Sequence, residues 1–206
     1  MKLNWIFALA VFSFTSYQAN AFVIALPGTE GLPVFANGGN VTATYEGNSA
    51  GYDNFLYLER SADLKPGLDG DQSNDLFVFF NHGNNEGDTL ELGNFPSGTE
   101  LVFRLYVSNT GDNFYSGEAS RNADGFAHAR VDNSWKPNTT LVSFEDLYNL
   151  PEGVNGFNDL SFSFTNTRST PTPVPDFGST LSLLGLVLPA MAVGRHFRRQ
   201  TTIVSN

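Results

Sequence analysis

The chain has 206 residues, no cysteine and a formal net charge of −10 at pH 7. The length suits one ordinary domain with a hydrophobic core, and the lack of cysteine excludes disulfides and thiolate metal sites. Residues 22–175 hold 7 basic and 20 acidic residues, a net charge of −13, so this surface attracts cations and argues against binding to nucleic acid.

The N-terminus has the order of features found in a secretory signal peptide. Lys2 supplies a positive charge, residues 5–14 are almost all apolar, and Ala19-Asn20-Ala21 is the small-residue pattern that signal peptidases cut. We therefore expect residues 1–21 to be a signal peptide that is cleaved after Ala21, and the protein to be exported.

The middle of the chain is predicted to consist of strands joined by turns rich in Gly, Asn and Asp. In "LSFSFT" (160–165) apolar and polar residues alternate, which is typical of a half-buried strand, whereas "LFVFF" (76–80) is apolar on both faces and favours a central strand. No amphipathic helix is evident. The sequence thus predicts an all-β fold, an antiparallel β-sandwich of about eight strands over residues 22–168, with strands at 41–45, 54–58, 76–80, 89–92, 100–107, 126–131, 140–144 and 160–165.

Two short motifs resemble parts of functional sites but are predicted to be turns. "DGDQSND" (Asp69–Asp75) begins like an EF-hand loop, but its twelfth position is Phe80 instead of the bidentate Glu, which favours a solvated acidic turn. "GNSAG" (Gly47–Gly51) matches the G-x-S-x-G pattern around Ser49, yet another strand follows where a nucleophile elbow needs a helix. We therefore expect no catalytic residues and no enzyme.

The segment "VSFEDLYNLPEGVNGFNDLSFSFTN" (142–166) resembles the closing signature of a widespread family of secreted bacterial β-sandwich proteins. In that family a Phe-Glu-Asp-Leu element and an Asn-Asp element flank a Gly-rich loop. "SAGYDNFLY" (49–57) is similar to an earlier segment of the same family. The resemblance implies a β-sandwich over about residues 40–166 and no catalytic activity.

Oxygen-bearing side chains lie at both ends of this loop: Glu145, Asp146, Asn158 and Asp159. Closing the loop would bring them together, and carboxylate and amide oxygens are the ligands that Ca²⁺ takes in proteins. Asp and Asn also cap backbone N–H groups at loop ends. Both interpretations, a calcium site and a set of loop caps, stay open at the level of sequence.

The C-terminal region has four parts in a fixed order. Residues 169–176 form a proline-rich linker that ends in Val174-Pro175-Asp176, residues 177–194 carry no charge, and Arg195, Arg198 and Arg199 follow. Eighteen uncharged, mostly apolar residues are near the lower limit for a single membrane-spanning helix, and the arginines predict that residues 195–206 lie in the cytoplasm as a basic tail.

This order resembles the PEP-CTERM sorting signal of Gram-negative bacteria that make exopolysaccharide. The resemblance implies that an exosortase-type enzyme recognises and cleaves the segment, so that the protein is only transiently anchored in the inner membrane. A permanent tail anchor is the alternative.

Two classes of function follow from these features. The first is an exported, non-catalytic protein of the cell surface or extracellular matrix, which binds calcium or polysaccharide. The alternative is a secreted hydrolase that acts on carbohydrate from a β-sandwich scaffold.

Overall fold

The structure, a computed structural model, describes residues 22–170. These residues form β-strands and three short 3₁₀ helices, the latter at Gln72–Asn74, Ala119–Arg121 and Gly153–Asn155. The strands are β1 (Phe35–Ala36), β2 (Gly39–Gly47), β3 (Asn54–Leu58), β4 (Leu76–Phe80), β5 (Thr89–Phe95), β6 (Phe103–Val107), β7 (Asp112–Tyr115), β8 (Ala129–Lys136), β9 (Thr139–Phe144), β10 (Leu160–Thr165) and β11 (Thr167–Arg168).

The strands form three antiparallel sheets. The largest has the order β5-β2-β10-β9-β8, the second has the order β4-β3-β6-β7, and β1 pairs with β11 in a short ribbon. All pairings within the two larger sheets are antiparallel. The predicted all-β, antiparallel class is therefore confirmed.

A single hydrophobic core joins the two larger sheets. Alternation along β2 turns Val41, Ala43 and Tyr45 into this core, as a strand period of two requires. Aromatic contacts cross from one sheet to the other: Phe79 stacks on Phe162 with ring centroids 5.7 Å apart. Such ring pairs add to the stabilisation that burial of their apolar area provides.

Residues 22–31 form an N-terminal arm that crosses the other face of the five-stranded sheet. The arm begins against Gly47 of β2, where a Cβ atom would overlap the Phe22 side chain. Farther along, the Ala25 N–H donates to the Ser143 hydroxyl of β9 at 2.8 Å, and the Gly31 N–H donates to the Ala129 carbonyl of β8 at 3.0 Å. The arm thus shields the serine side of the central strands from water.

The arm explains why the predicted half-burial of one correctly predicted strand is wrong. Residues 160–165 were expected to be half-buried, but β10 is buried on both faces except at Thr165. Its serines face the layer under the arm, where the Ser161 and Ser143 hydroxyls bond to each other at 2.8 Å. The serines of β10 are therefore not exposed to solvent, although they are polar. A neighbouring hydroxyl provides the hydrogen bond that water would otherwise supply.

The prediction of a central position for "LFVFF" is also wrong. This segment is β4, an edge strand of the four-stranded sheet, and Phe77 is 46% exposed. The rings on its outer face are not covered by another sheet and pack against rings of the neighbouring strand. Phe80, for example, stacks on Phe55 of β3 with ring centroids 4.4 Å apart. Aromatic pairs across strands stabilise a sheet in this way.

The remaining strand predictions differ from the structure mainly at their ends. Strands β3, β4 and β10 have the predicted bounds, whereas β6 starts at Phe103 instead of residue 100. Strands β1, β7 and β11 were not predicted. The signal peptide, the sorting motif, the apolar segment 177–194 and the basic tail lie outside the described residues, and no helix within residues 22–170 is long and apolar enough to cross a membrane.

Candidate metal centre

The β9–β10 hairpin positions the predicted carboxylates. Glu145 and Asp146 follow β9 directly, and Asp159 immediately precedes β10. Phe144 pairs with Leu160 in the ladder, and the Asp159 N–H donates to the Phe144 carbonyl at 3.2 Å. The last pair of the hairpin therefore fixes the three acidic residues opposite one another across the loop.

The side chains of Glu145, Asp146 and Asp159 converge, and we call them the carboxylate cluster. One oxygen from each lies within 4.8 Å of the others. The three residues are 0%, 4% and 8% exposed, respectively. Charged carboxylates are rarely buried so completely unless a partner offsets the lost hydration.

Hydrogen bonds satisfy only some of the cluster oxygens. The Asp146 N–H donates to Asp159 Oδ2 at 2.7 Å, and the Leu147 N–H donates to Glu145 Oε1 at 3.1 Å. These bonds are of the loop-cap kind that the sequence left open. Glu145 Oε2, by contrast, is buried and has no hydrogen-bond partner among the described residues.

Asn54 brings a further polar group to the cluster from the other sheet. Its side-chain amide donates to Asp146 Oδ2 at 2.6 Å, and the residue is fully buried. Its carbonyl oxygen Oδ1 has no hydrogen-bond partner within residues 22–170. Unpartnered buried oxygens are uncommon in folded proteins and call for a donor or an ion. Two of them thus occur in this one group of residues.

Burial raises the pKa values of all three carboxyls. It raises the pKa of Asp159 to about 8, with the negative charges of Asp146 and Glu145 acting in the same direction. Burial also raises the pKa of Glu145 to about 7 and shifts the pKa of Asp146 upward. The charged forms are disfavoured because they lose water and repel one another. The cluster therefore favours protons or a cation.

The buried arginines are engaged with other carboxylates. Arg104 pairs with Glu59 at 2.5 Å and with Asp75 at 2.7 Å, while Arg130 pairs with Glu30 at 2.7 Å. The nearby His128 ring contacts the Glu145 carbonyl through Nδ1 at 3.0 Å, and its Nε2 pairs with Asp124 at 2.8 Å. No buried arginine described above pairs with the carboxylate cluster. A bound cation would offset the repulsion among its three carboxylates.

Gly156 is required by the close packing of the loop on the cluster. A Cβ atom at this position would overlap Glu145 Oε2. The loop backbone therefore covers the unpartnered oxygen from one side. Only a residue without a side chain allows this approach.

A cavity of about 460 Å³ opens beside the cluster. Asp146 and Asp159 line it, and Glu145 does not. The other lining residues are Ser49, Gly51, Tyr52, Leu147, Glu152 and Asn158. The fourth predicted ligand, Asn158, thus lies at the cavity beside the cluster, and the Ser49 N–H donates to its backbone carbonyl at 3.0 Å.

The two motifs predicted to be turns have different outcomes. The residues around Ser49 connect β2 to β3 without a helix, and its hydroxyl donates to the Asn158 carbonyl at 3.3 Å. In "DGDQSND", Asp71 caps the 3₁₀ helix Gln72–Asn74 as a turn residue does. The prediction of a solvated turn is wrong for Asp75, because its side chain is 0% exposed and pairs with Arg104.

Sequence reasoning missed Asn54 as a member of the site. The usable signal was the resemblance of the segment 49–57 to the same family as the acidic loop, a resemblance that stays a prediction. Two segments of one signature that are far apart in sequence are natural candidates for contact in space. The hydrogen bond between Asn54 and Asp146, 92 positions apart, is such a contact.

Comparison of the chain with protein-family models, with curated proteins and with solved structures found no match.

Proposed function

We propose that this protein is an exported, non-catalytic protein of the cell surface or extracellular matrix, built on a β-sandwich that holds one calcium ion. Three buried carboxylates with ligand oxygens within 4.8 Å of one another carry the proposal. Isolated buried charges of one sign are strongly unfavourable, and coordination of a cation is a common way to retain them.

The kinds of ligand favour calcium over other metals. The cluster offers carboxylate oxygens, Asn54 beside it adds an amide oxygen, and the chain has no cysteine. Oxygen ligands suit the hard cations Ca²⁺, Mg²⁺ and Mn²⁺, and Ca²⁺ accepts irregular sites of about six to eight oxygens, whereas Mg²⁺ demands a near-ideal octahedron. Calcium therefore suits a site whose oxygens come from the β9–β10 loop and from Asn54 of the other sheet.

The location rests on the sequence at the two ends of the chain. A signal peptide over residues 1–21, a sorting motif at Val174-Pro175-Asp176 and a basic stop after residue 194 support export followed by processing. The expected partners are an exosortase-type enzyme and the exopolysaccharide or matrix at the cell surface.

Thermal unfolding with calcium and with a chelator tests the metal site. The protein purified from the cells that make it should unfold at a higher temperature in calcium than in EDTA, because a ligand that binds only the folded state stabilises it. Magnesium at the same concentration should give a smaller rise. Superimposable curves in calcium and EDTA would mean that the cluster carboxyls are loop caps and not ligands.

A carbohydrate hydrolase is the second candidate, favoured by one feature of the cavity. Asp146 and Asp159 line it together with Tyr52, and the pKa of Asp159 is raised to about 8. A neutral carboxyl beside a second carboxyl group is the pair that glycoside hydrolysis uses. Release of reducing ends from the polysaccharide of the producing cells, lost on Asp159→Asn and insensitive to EDTA, would favour this candidate.

A further inference from the structure

We propose that the cavity beside the carboxylate cluster binds a neutral sugar, and that two neighbouring hydroxyls of this sugar complete the coordination of the calcium ion. This inference rests on the proposed calcium site. It gives that site a ligand-binding role in addition to a stabilising one, and it names the class of ligand.

The position of the cluster leaves one side of the ion facing the cavity. Glu145 is fully buried behind the other two residues, whereas Asp146 and Asp159 form part of the cavity wall. A cation held by all three would lie at the boundary between the protein interior and the cavity. Water or a ligand would then occupy the positions on the open side.

The protein oxygens fill only part of the coordination shell. Glu145 Oε2 is unpartnered, while Asp146 Oδ2 and Asp159 Oδ2 already accept hydrogen bonds. With one or two oxygens from each carboxylate, the cluster supplies about three to six ligands, and calcium takes about six to eight. A pair of hydroxyls on adjacent carbons fits the remaining positions because both oxygens are neutral and close together.

The cavity lining suits a sugar ring. Ser49 and Asn158 offer polar groups, and the half-buried Tyr52 offers an aromatic surface. Ligand sites commonly measure about 300–1,000 Å³ and combine apolar surface with a few polar groups, and this cavity of about 460 Å³ lies within that range. A hexose presents both kinds of surface.

Charge selects a neutral sugar over an acidic one. Glu152 lines the cavity in addition to the two cluster residues, and residues 22–175 carry an excess of 13 negative charges. One bound Ca²⁺ does not overcome the repulsion of a further carboxylate or sulfate by this surface. Neutral hydroxyls bring no such penalty.

Affinity chromatography on mannose-agarose and on galactose-agarose tests the inference, since the two sugars present different arrangements of vicinal hydroxyls. The protein purified from the cells that make it should be retained on at least one resin in calcium and released by EDTA. Passage through both resins in calcium, by protein whose melting temperature rises with calcium, would overturn the inference and leave the calcium proposal standing. Absence of the rise in melting temperature would overturn both.

A pair of tryptophan variants separates sugar binding from calcium binding. Ser49 is exposed in the loop after β2, so Ser49→Trp should fill the cavity and lower the retained fraction about tenfold, with the calcium-dependent rise in melting temperature unchanged. Ser97→Trp is the matched control, an exposed serine after β5 near the opposite end of β2. Equal retention of the two variants would show that the sugar binds elsewhere and would overturn the inference.

Discussion

Replacing Asp159 with Asn is expected to raise stability in the absence of calcium and to remove most of the stabilisation that calcium gives. In EDTA, burial raises the pKa of Asp159 from its ordinary 3.8 to about 8. Because one pH unit is worth about 1.4 kcal/mol, keeping this carboxyl ionised at about pH 8 costs on the order of 5 kcal/mol. Asn removes that cost and keeps an oxygen that can accept the hydrogen bond from Asp146.

The sign of the pH dependence follows from the raised pKa. The folded protein holds the proton more tightly than the unfolded chain, so the contribution of this group is fully present below its unfolded pKa and is lost as the pH rises towards about 8. In EDTA, the wild-type free energy of unfolding should therefore fall between about pH 5 and about pH 8. The fall should be shallower in Asp159→Asn, which should be the more stable protein at the upper end.

Calcium should narrow that difference. At about a hundred times Kd, calcium adds about 2.7 kcal/mol to the wild-type protein, which raises the Tm of a domain of about 150 residues by about 5–11 °C. Asp159→Asn should lose most of this gain because a charged ligand is missing.

Urea unfolding across this pH range, in EDTA and in calcium, measures both effects. Glu118→Gln is the control, since it removes an exposed carboxylate outside the cluster. A flat wild-type profile in EDTA, or a full calcium gain in Asp159→Asn, would refute the reasoning.

Three further outcomes are expected. Mass spectrometry of the surface-exposed protein should find a chain of about 150 residues without the signal peptide and the apolar C-terminal segment; intact protein would indicate a permanent tail anchor. Asp75→Asn should destabilise the fold by about 3 kcal/mol in denaturant melts, because Arg104 loses a buried partner, and should leave the calcium gain unchanged; loss of the gain would tie this pair to the metal site. Gly156→Ala should lower both stability and calcium affinity in calorimetry, since its Cβ would overlap Glu145, whereas Gly51→Ala, with open space around the added Cβ, should change little; equal effects would contradict the packing argument.

Local sequence patterns were sufficient for much of the fold and for part of the site. Alternation or continuous apolarity defined β3, β4 and β10 to the residue. The convergence of Glu145 and Asp159 was also predictable, because both flank a single loop whose strands pair at its base. In these cases the information lies within a few residues of the feature.

The features that were missed depend on contacts between distant segments. Asn54 reaches the cluster from the other sheet, and Asp75 is buried in an ion pair with Arg104 of β6. The edge position of β4 follows from the sheet order and not from its composition. Strand β7, "DNFY", is short and polar and is held by its pairing with β6. Patterns within single segments carry no information about such neighbours.

The place of the last long strand has a consequence for how the chain folds. Strand β10 lies at the centre of the five-stranded sheet, between β2 and β9, although it comes near the end of the described residues. Until residues 160–165 are available, β2 and β9 lack the strand between them, and the rings of Tyr45 and Phe79 lack their contact with Phe162. Long-range pairing of this kind makes folding slow and leaves strand edges open in the meantime. A chain that leaves the ribosome or a membrane pore from its N-terminus would thus be unable to complete the five-stranded sheet until nearly all of this domain has emerged.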